Sequence, residues 1–201
     1  MHQFWAQWED DIYWLEELQQ LKQEGKVKNI GISVPDHRHD LAISIVRSGL
    51  IDSIQTIVNI FDPTALDSLV PVCKANQVAV IARVVLDEGG LTGFLTKDTV
   101  IPPKDFQRNY FDCLPRSIYL DKVEALRQFI PSSAESLTEL AIRFVLQDPG
   151  ITSAIISMHI HEYALENIQA ASKPKLDDEV FEIIRQQHRW IRNFFQARRF
   201  V

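Results

Sequence analysis

The run Gln77-Val-Ala-Val-Ile-Ala-Arg-Val-Val-Leu-Asp-Glu-Gly-Gly-Leu-Thr-Gly93 decides how this chain folds. It opens as unbroken apolar sequence with one arginine, then turns acidic and glycine-rich. A short segment that is apolar on both sides reads as a strand, residues 78–85, buried on both faces as in a parallel sheet covered by helices. The glycines past its carboxyl end free the backbone for positive φ and for close approach to a ligand. In parallel α/β architectures, ligands bind at that end of the strands.

Working outward, the same unit repeats. Residues 1–8 are aromatic and apolar, as though an element were already under way. A helix is predicted over 10–24, with Asp10 and Asp11 favouring its amino end and Ile12, Leu15, Leu18 and Leu21 forming one stripe. A strand follows at 27–33, a helix at 38–48, a strand at 53–59 and a helix at 64–76 with Leu66, Leu69, Val70 and Cys73 on one side. Beyond the central strand, residues 86–118 carry Pro102, Pro103 and Pro115 and little periodicity. A loop of that length is functional or disordered. Helices are predicted again at 119–130 and 135–147, the second with Ser136 and Glu139 at capping-box spacing. The last strand is placed at 152–158, with helices at 161–171 and 177–195. Strands joined by helices and short connections imply parallel βαβ units.

Composition narrows the function. The 201 residues are 46% hydrophobic and 24% charged, ordinary values for one globular domain. A net charge of −6 argues against general nucleic-acid binding. Cys73 and Cys113 stand alone, without a CxxC or a Cys/His cluster, which points to a reduced, cytoplasmic setting. No apolar run reaches the roughly 18 residues of a membrane span, and the amino end lacks the order of a signal peptide.

Four sets of residues then occur together in one order: Glu24-Gly-Lys-Val-Lys-Asn-Ile-Gly-Ile-Ser33, Ile54-Gln55 followed by Asn59, Leu91-Thr-Gly93, and Glu166-Asn167. In that order and spacing the chain resembles the carboxyl-terminal half of an aldo-keto reductase, over essentially its whole length. The resemblance implies an α/β fold, part of a (β/α)8 TIM barrel: four parallel strands with flanking helices and a C-terminal helical extension. It implies one domain, 1–201, in which 86–118 is the loop that folds over the cofactor and 174–201 a terminal helix and tail. An open half barrel leaves strand edges exposed, so self-association or a separate amino-terminal half is expected as partner.

The family's chemistry passes hydride between NADP(H) and a small carbonyl substrate. It uses a Tyr acid tuned by a Lys and an Asp, and a His that orients the carbonyl. A phenol of reference pKa ~10 needs a nearby cation to act near neutral pH. The resemblance places only His2 among these four. The Tyr, Lys and Asp belong to the half this sequence does not match, and Tyr13, Tyr110, Tyr119 and Tyr163 do not fall at the catalytic position. On the cofactor side it implies Ser33 and Gln55 at the nicotinamide carboxamide, Arg83 where a stacking Tyr is usual, and Leu86, Gly89 and Gly90 facing the pyrophosphate. Ser157 and His159 would lie near the 2′-phosphate, and Glu166 and Asn167 on the adenine side. Family members place Lys or Arg at the 2′-phosphate; here Ser157-Met-His-Ile-His161 offers imidazoles, weak cations near neutral pH. NADP(H) binding is therefore expected to be weak or absent in this chain alone, and so is turnover. The alternative function is a non-catalytic binding or scaffold protein derived from such an enzyme.

The same residues also have plainer readings. Ser33 and Gln55 read equally as hydrogen-bond formers at strand ends, and Gly89-Gly90 as an ordinary turn. Asp87 and Glu88 read as solvated loop carboxylates rather than an acid/base pair. The spaced pairs His37/His39 and His159/His161 lack the further ligands of a metal site. The basic, aromatic tail reads as a helix end packed on the protein's side.

Overall fold

The computed structural model describes residues 13–192. His2, the apolar stub at 1–8, Asp10, Asp11, Ile12 and the tail residues Phe194, Phe195, Arg198 and Arg199 lie outside the described residues. The elements are α1 (Tyr13–Gln23), β1 (Gly31–Ser33), α2 (Ile43–Arg47, entered through a 3-10 turn at His39–Ala42), β2 (Ser53–Ile57), α3 (Thr64–Ala75), β3 (Ala79–Arg83), α4 (Phe106–Phe111), α5 (Arg116–Leu126), α6 (Leu137–Gln147), β4 (Ser153–Ala154), α7 (His161–Ser172) and α8 (Asp178–Gln187). The strands form one parallel sheet in the order β1-β2-β3-β4. This is the α/β, partial (β/α)8 fold class expected from the alternation of strand and helix.

Contacts divide the chain into two compact units. One takes the described residues up to Val58, with Pro63–Arg83 and Asp148–Ile155; the other takes Asn59–Asp62, Val84–Gln147 and the described residues from Ile156 on.

The first unit contains the whole sheet with α1 to α3. Along β2 and β3 burial alternates, whereas in β1 Ile32 and Ser33 are both buried. Ile32, Ile54, Thr56, Val80 and Ala82 are buried, while Gly31, Ser53, Gln55, Ile57, Ala79, Ile81 and Arg83 are only half-buried. The expectation of strands buried on both faces is thus corrected: one face is covered and the other is partly open. The covering side chains include Ile45 and Val46 of α2 and Leu66, Leu69, Val70 and Cys73 of α3, the stripe read from sequence. All four strands are shorter than predicted, β1 and β4 most of all. Before β1, Lys26 and Val27 donate their N–H groups to Leu21 O, and Ile30 donates to the Asp52 carboxylate, which Lys22 also holds at 2.7 Å. Those backbone donors are used outside the ladder, so pairing begins only at Gly31. β4 keeps just two residues of the expected seven.

In the second unit, α6 is buried nearly all round, from Leu137 to Gln147. Its entry has the expected cap, Glu139 N donating to Ser136 Oγ at 3.1 Å, while the Glu139 carboxylate accepts from Glu135 N. The segment 86–118 is not the aperiodic loop expected. It contains a 3-10 turn at Gly90–Thr92 and α4, capped by Asp105 accepting from Gln107 N, and α5 starts at Arg116. The last described helix ends at Gln187, earlier than predicted. Among the described residues no helix is long and apolar enough to cross a membrane.

Candidate functional site

The half-buried face of the sheet carries the first group of candidate residues. Register puts Ser33 beside Gln55 and Gln55 beside Ile81, one row across three strands; the next row pairs Ile57 with Arg83. Neighbouring strands lie ~4.8 Å apart, so a hydroxyl and a carboxamide stand side by side near the carboxyl ends of β1 and β2. Among the described residues neither side chain has a hydrogen-bond partner within the chain. Their plainer role as internal bond formers therefore has no support; Gln55 is half-buried and Ser33 buried at 5% exposure, and together they could pair with the donor and acceptor of an amide-bearing ligand. Val34, next to Ser33, is fully buried and its N–H donates to Gln55 O at 2.9 Å, which locks the two strand ends together.

Arg83 closes this group. Its Nη2 donates to Val34 O at 3.0 Å and to Asp36 Oδ1 at 2.6 Å. Both side chains of the ion pair are about one-fifth exposed, at 21% and 22%. The guanidinium is thereby held at the end of the sheet, with a carboxylate balancing its charge. Sequence reasoning missed Asp36.

The second unit holds the turn after β3. Val84, Asp87 and Glu88 all have positive φ, as does Gly89 at 94°. The N–H groups of Asp87, Gly89, Gly90 and Leu91 donate back to Val84, Leu86, Asp87 and Leu86, so the turn's donors are largely used internally. Leu86 is half-buried, and the Gln107 amide covers the turn by donating to Glu88 O at 2.7 Å. Gly90 is required by packing: a Cβ there would fall 1.8 Å from the Tyr119 Oη.

Asp87 is not a solvated loop carboxylate. It is 3% exposed and accepts from Tyr110 Oη, from Tyr119 Oη at 2.7 Å and from Arg192 Nη2 at 2.6 Å. The Arg192 guanidinium lies over the rings of Tyr110, Tyr119 and Trp190 at 4.4, 4.7 and 5.0 Å. Burial, reinforced by the Asp87 charge, pushes both phenols far above the ordinary tyrosine range. A phenol so held is a poor acid, which fits the failure of either tyrosine to match a catalytic position. Sequence reasoning missed this cluster, whose members lie up to 105 residues apart.

The segment after β4 is also in the second unit. Ser157 and His159 are exposed and bonded to each other, Oγ to Nδ1 at 2.8 Å. Glu166 is exposed, whereas Asn167 is 4% exposed and spends its amide on Ser157 O at 3.1 Å. No Lys or Arg occurs between Ile155 and Ser172. Among the described residues no three His, Cys, Asp or Glu side chains are grouped to hold a metal, and burial pushes the Cys73 thiol up to about 11.

The model of the Aldo/keto reductase family matches residues 3–189. The chain belongs to that family. Similar curated proteins are an NADH-specific methylglyoxal reductase of Escherichia coli, 28% identical over 76% of this chain and 46% of that protein, and an uncharacterised oxidoreductase of Bacillus subtilis, 27% identical over 82% and 51%. The chain thus spans about half the length of these aldo/keto reductase relatives. Among solved structures, a glycerol dehydrogenase of Gluconobacter oxydans matches with TM-score 0.70 at 22% identity, covering 96% of this chain and 59% of that one. The holo form of an aldo-keto reductase of Bacillus halodurans matches with TM-score 0.65 at 22% identity, covering 87% and 58%. At that identity the structural likeness shows the aldo/keto reductase fold.

Proposed function

We propose that this chain carries the nicotinamide side of an aldo/keto reductase that moves hydride between a nicotinamide dinucleotide and a small carbonyl or alcohol. The observation that carries the reading is the row of Ser33 and Gln55, two polar side chains without internal partners at the carboxyl end of a parallel sheet. Ser33 and Gln55 would hold the carboxamide and fix the ring's orientation, and Arg83 would lie against the ring, since a guanidinium stacks flat on a planar partner. When bound, the cofactor supplies the hydride. By family resemblance alone, Leu86, Gly89 and Gly90, and Ser157, His159, Glu166 and Asn167, all in the second unit, would meet the pyrophosphate and adenosine end of such a cofactor. With no cation from Ile155 to Ser172 to pair a 2′-phosphate, NADH is preferred to NADPH. The name of the Escherichia coli relative favours the same choice.

The sequence matches neither the Tyr, the Lys nor the Asp of the family's acid group, and His2 alone does not protonate a carbonyl oxygen. We propose accordingly that these 201 residues are inactive by themselves, work in the cytoplasm, and depend for a catalytic Tyr and Lys on the amino-terminal half of the family fold. The internal bonding of the turn at 84–91 favours a second reading, a binding or scaffold protein that keeps the family fold without its reaction. Titrating the purified chain with NADH and NADPH, read by tryptophan fluorescence, separates the two. Saturable binding with NADH the tighter ligand is expected, and Gln55→Ala should weaken it about tenfold, the loss of one well-placed hydrogen bond. A folded chain that binds neither dinucleotide, or Gln55→Ala with unchanged affinity, overturns the enzyme reading.

A further inference from the structure

Arg83 poses a problem for any ligand that changes charge. The oxidised nicotinamide ring is a cation and the reduced ring is neutral, so a bare guanidinium against it favours the reduced form. The structure supplies a compensation. Asp36 Oδ1 sits 2.6 Å from Arg83 Nη2, and Val34 O, 3.0 Å from the same nitrogen, fixes the guanidinium from a backbone position that cannot move independently of β1. The pair is only partly exposed, so solvent screens it incompletely. The next charges along the segment, Arg38 and Asp40, are paired with each other at 2.9 Å and contribute no net charge. Sheet end, guanidinium and carboxylate all belong to one compact unit.

We infer that Asp36 is a positioning residue that neutralises Arg83 so that the site accepts the oxidised and the reduced nicotinamide ring alike. This rests on the nicotinamide reading of Ser33, Gln55 and Arg83 and adds to it the control of redox-state preference. A merely structural Asp36 would change both affinities together, whereas a charge-balancing one changes their ratio.

The test is the ratio of Kd for NAD+ to Kd for NADH, measured by calorimetry on the intact chain, with folding checked by circular dichroism. Asp36→Asn should raise that ratio on the order of tenfold, by leaving the guanidinium uncompensated beside a cation. The double variant Asp36→Asn with Arg83→Gln removes both charges and should return the ratio to within about twofold of the wild type, the additivity failure expected of a coupled pair. Equal weakening of both ligands in Asp36→Asn, or a ratio that the double variant does not restore, overturns the inference and leaves the nicotinamide reading standing. A wild-type chain that binds neither dinucleotide overturns that reading, and this inference with it.

Discussion

Tyr119 shapes the second unit at the scale of single residues. Its ring packs edge-on to Phe61 and Phe111 at 5.7 and 5.0 Å, and its hydroxyl reaches Asp87 across the space that a side chain at position 90 would need. Gly90→Ala forces either the turn or the ring to move. Urea unfolding should show a loss of about 1–3 kcal/mol, the usual cost of overpacking a filled site. The same burial has a consequence at high pH. With Tyr110 and Tyr119 raised by burial and by Asp87, the folded chain keeps protons that the unfolded chain releases near the reference value of ~10. Their stabilisation is complete below that value and declines as pH rises above it towards the folded values. Thermal melts should therefore fall steeply above about pH 10. Tyrosinate absorbance should show these two rings titrating only as the chain unfolds; free titration of both in the folded protein would contradict the burial described here.

At the scale of elements, the turn after β3, α4, the start of α5 and the segment after α8 are joined by one buried group. The side chains of Asp87 and Arg192 are 4% and 9% exposed, and Trp190 N donates to Phe61 O at 2.8 Å. Arg192→Ala leaves the Asp87 carboxylate to two phenols and should cost about 3–5 kcal/mol, as for other broken buried pairs. Arg192→Met combined with Asp87→Asn should recover part of that loss, because no uncompensated charge remains; a double-mutant cycle by chemical denaturation measures the coupling. The alternation that gave the fold was legible because strands and helices declare themselves locally, through apolar runs such as 78–82 and stripes such as Leu66, Leu69, Val70 and Cys73. The open sheet face was not legible, because apolar Ile57 and Ile81 read as buried although the sheet leaves them half-exposed. Ser33 and Gln55 were singled out through resemblance alone, and their side-by-side register comes from the strand pairing. Asp36, Asp87 and Arg192 were not, since each owes its role to a partner 47 or 105 residues away.

The whole molecule is governed by an imbalance in the sheet. A parallel sheet is stable when both faces are covered, yet here one face carries Gln55, Ile57, Ile81 and Arg83 half-open. β1 and β4 each pair with a single neighbour among the described residues, and an unpaired edge recruits further strands. In a closed (β/α)8 barrel the open face would be the packed interior and the edges would meet other strands. Relatives of about twice this length have the residues to supply them. Further strands that precede Gly31 in such a barrel would remedy this imbalance, as would pairing with another copy of these residues. Light scattering on the purified chain at micromolar concentration should accordingly give a mass above that of the 23.1 kDa monomer. Co-expression with the amino-terminal half of a full-length family member should instead yield a one-to-one complex with a higher melting temperature, because binding to the folded form alone stabilises it. A monodisperse monomer that melts cooperatively, and that gains nothing from the added half, would mean that the open face and free edges are stable in water as they stand.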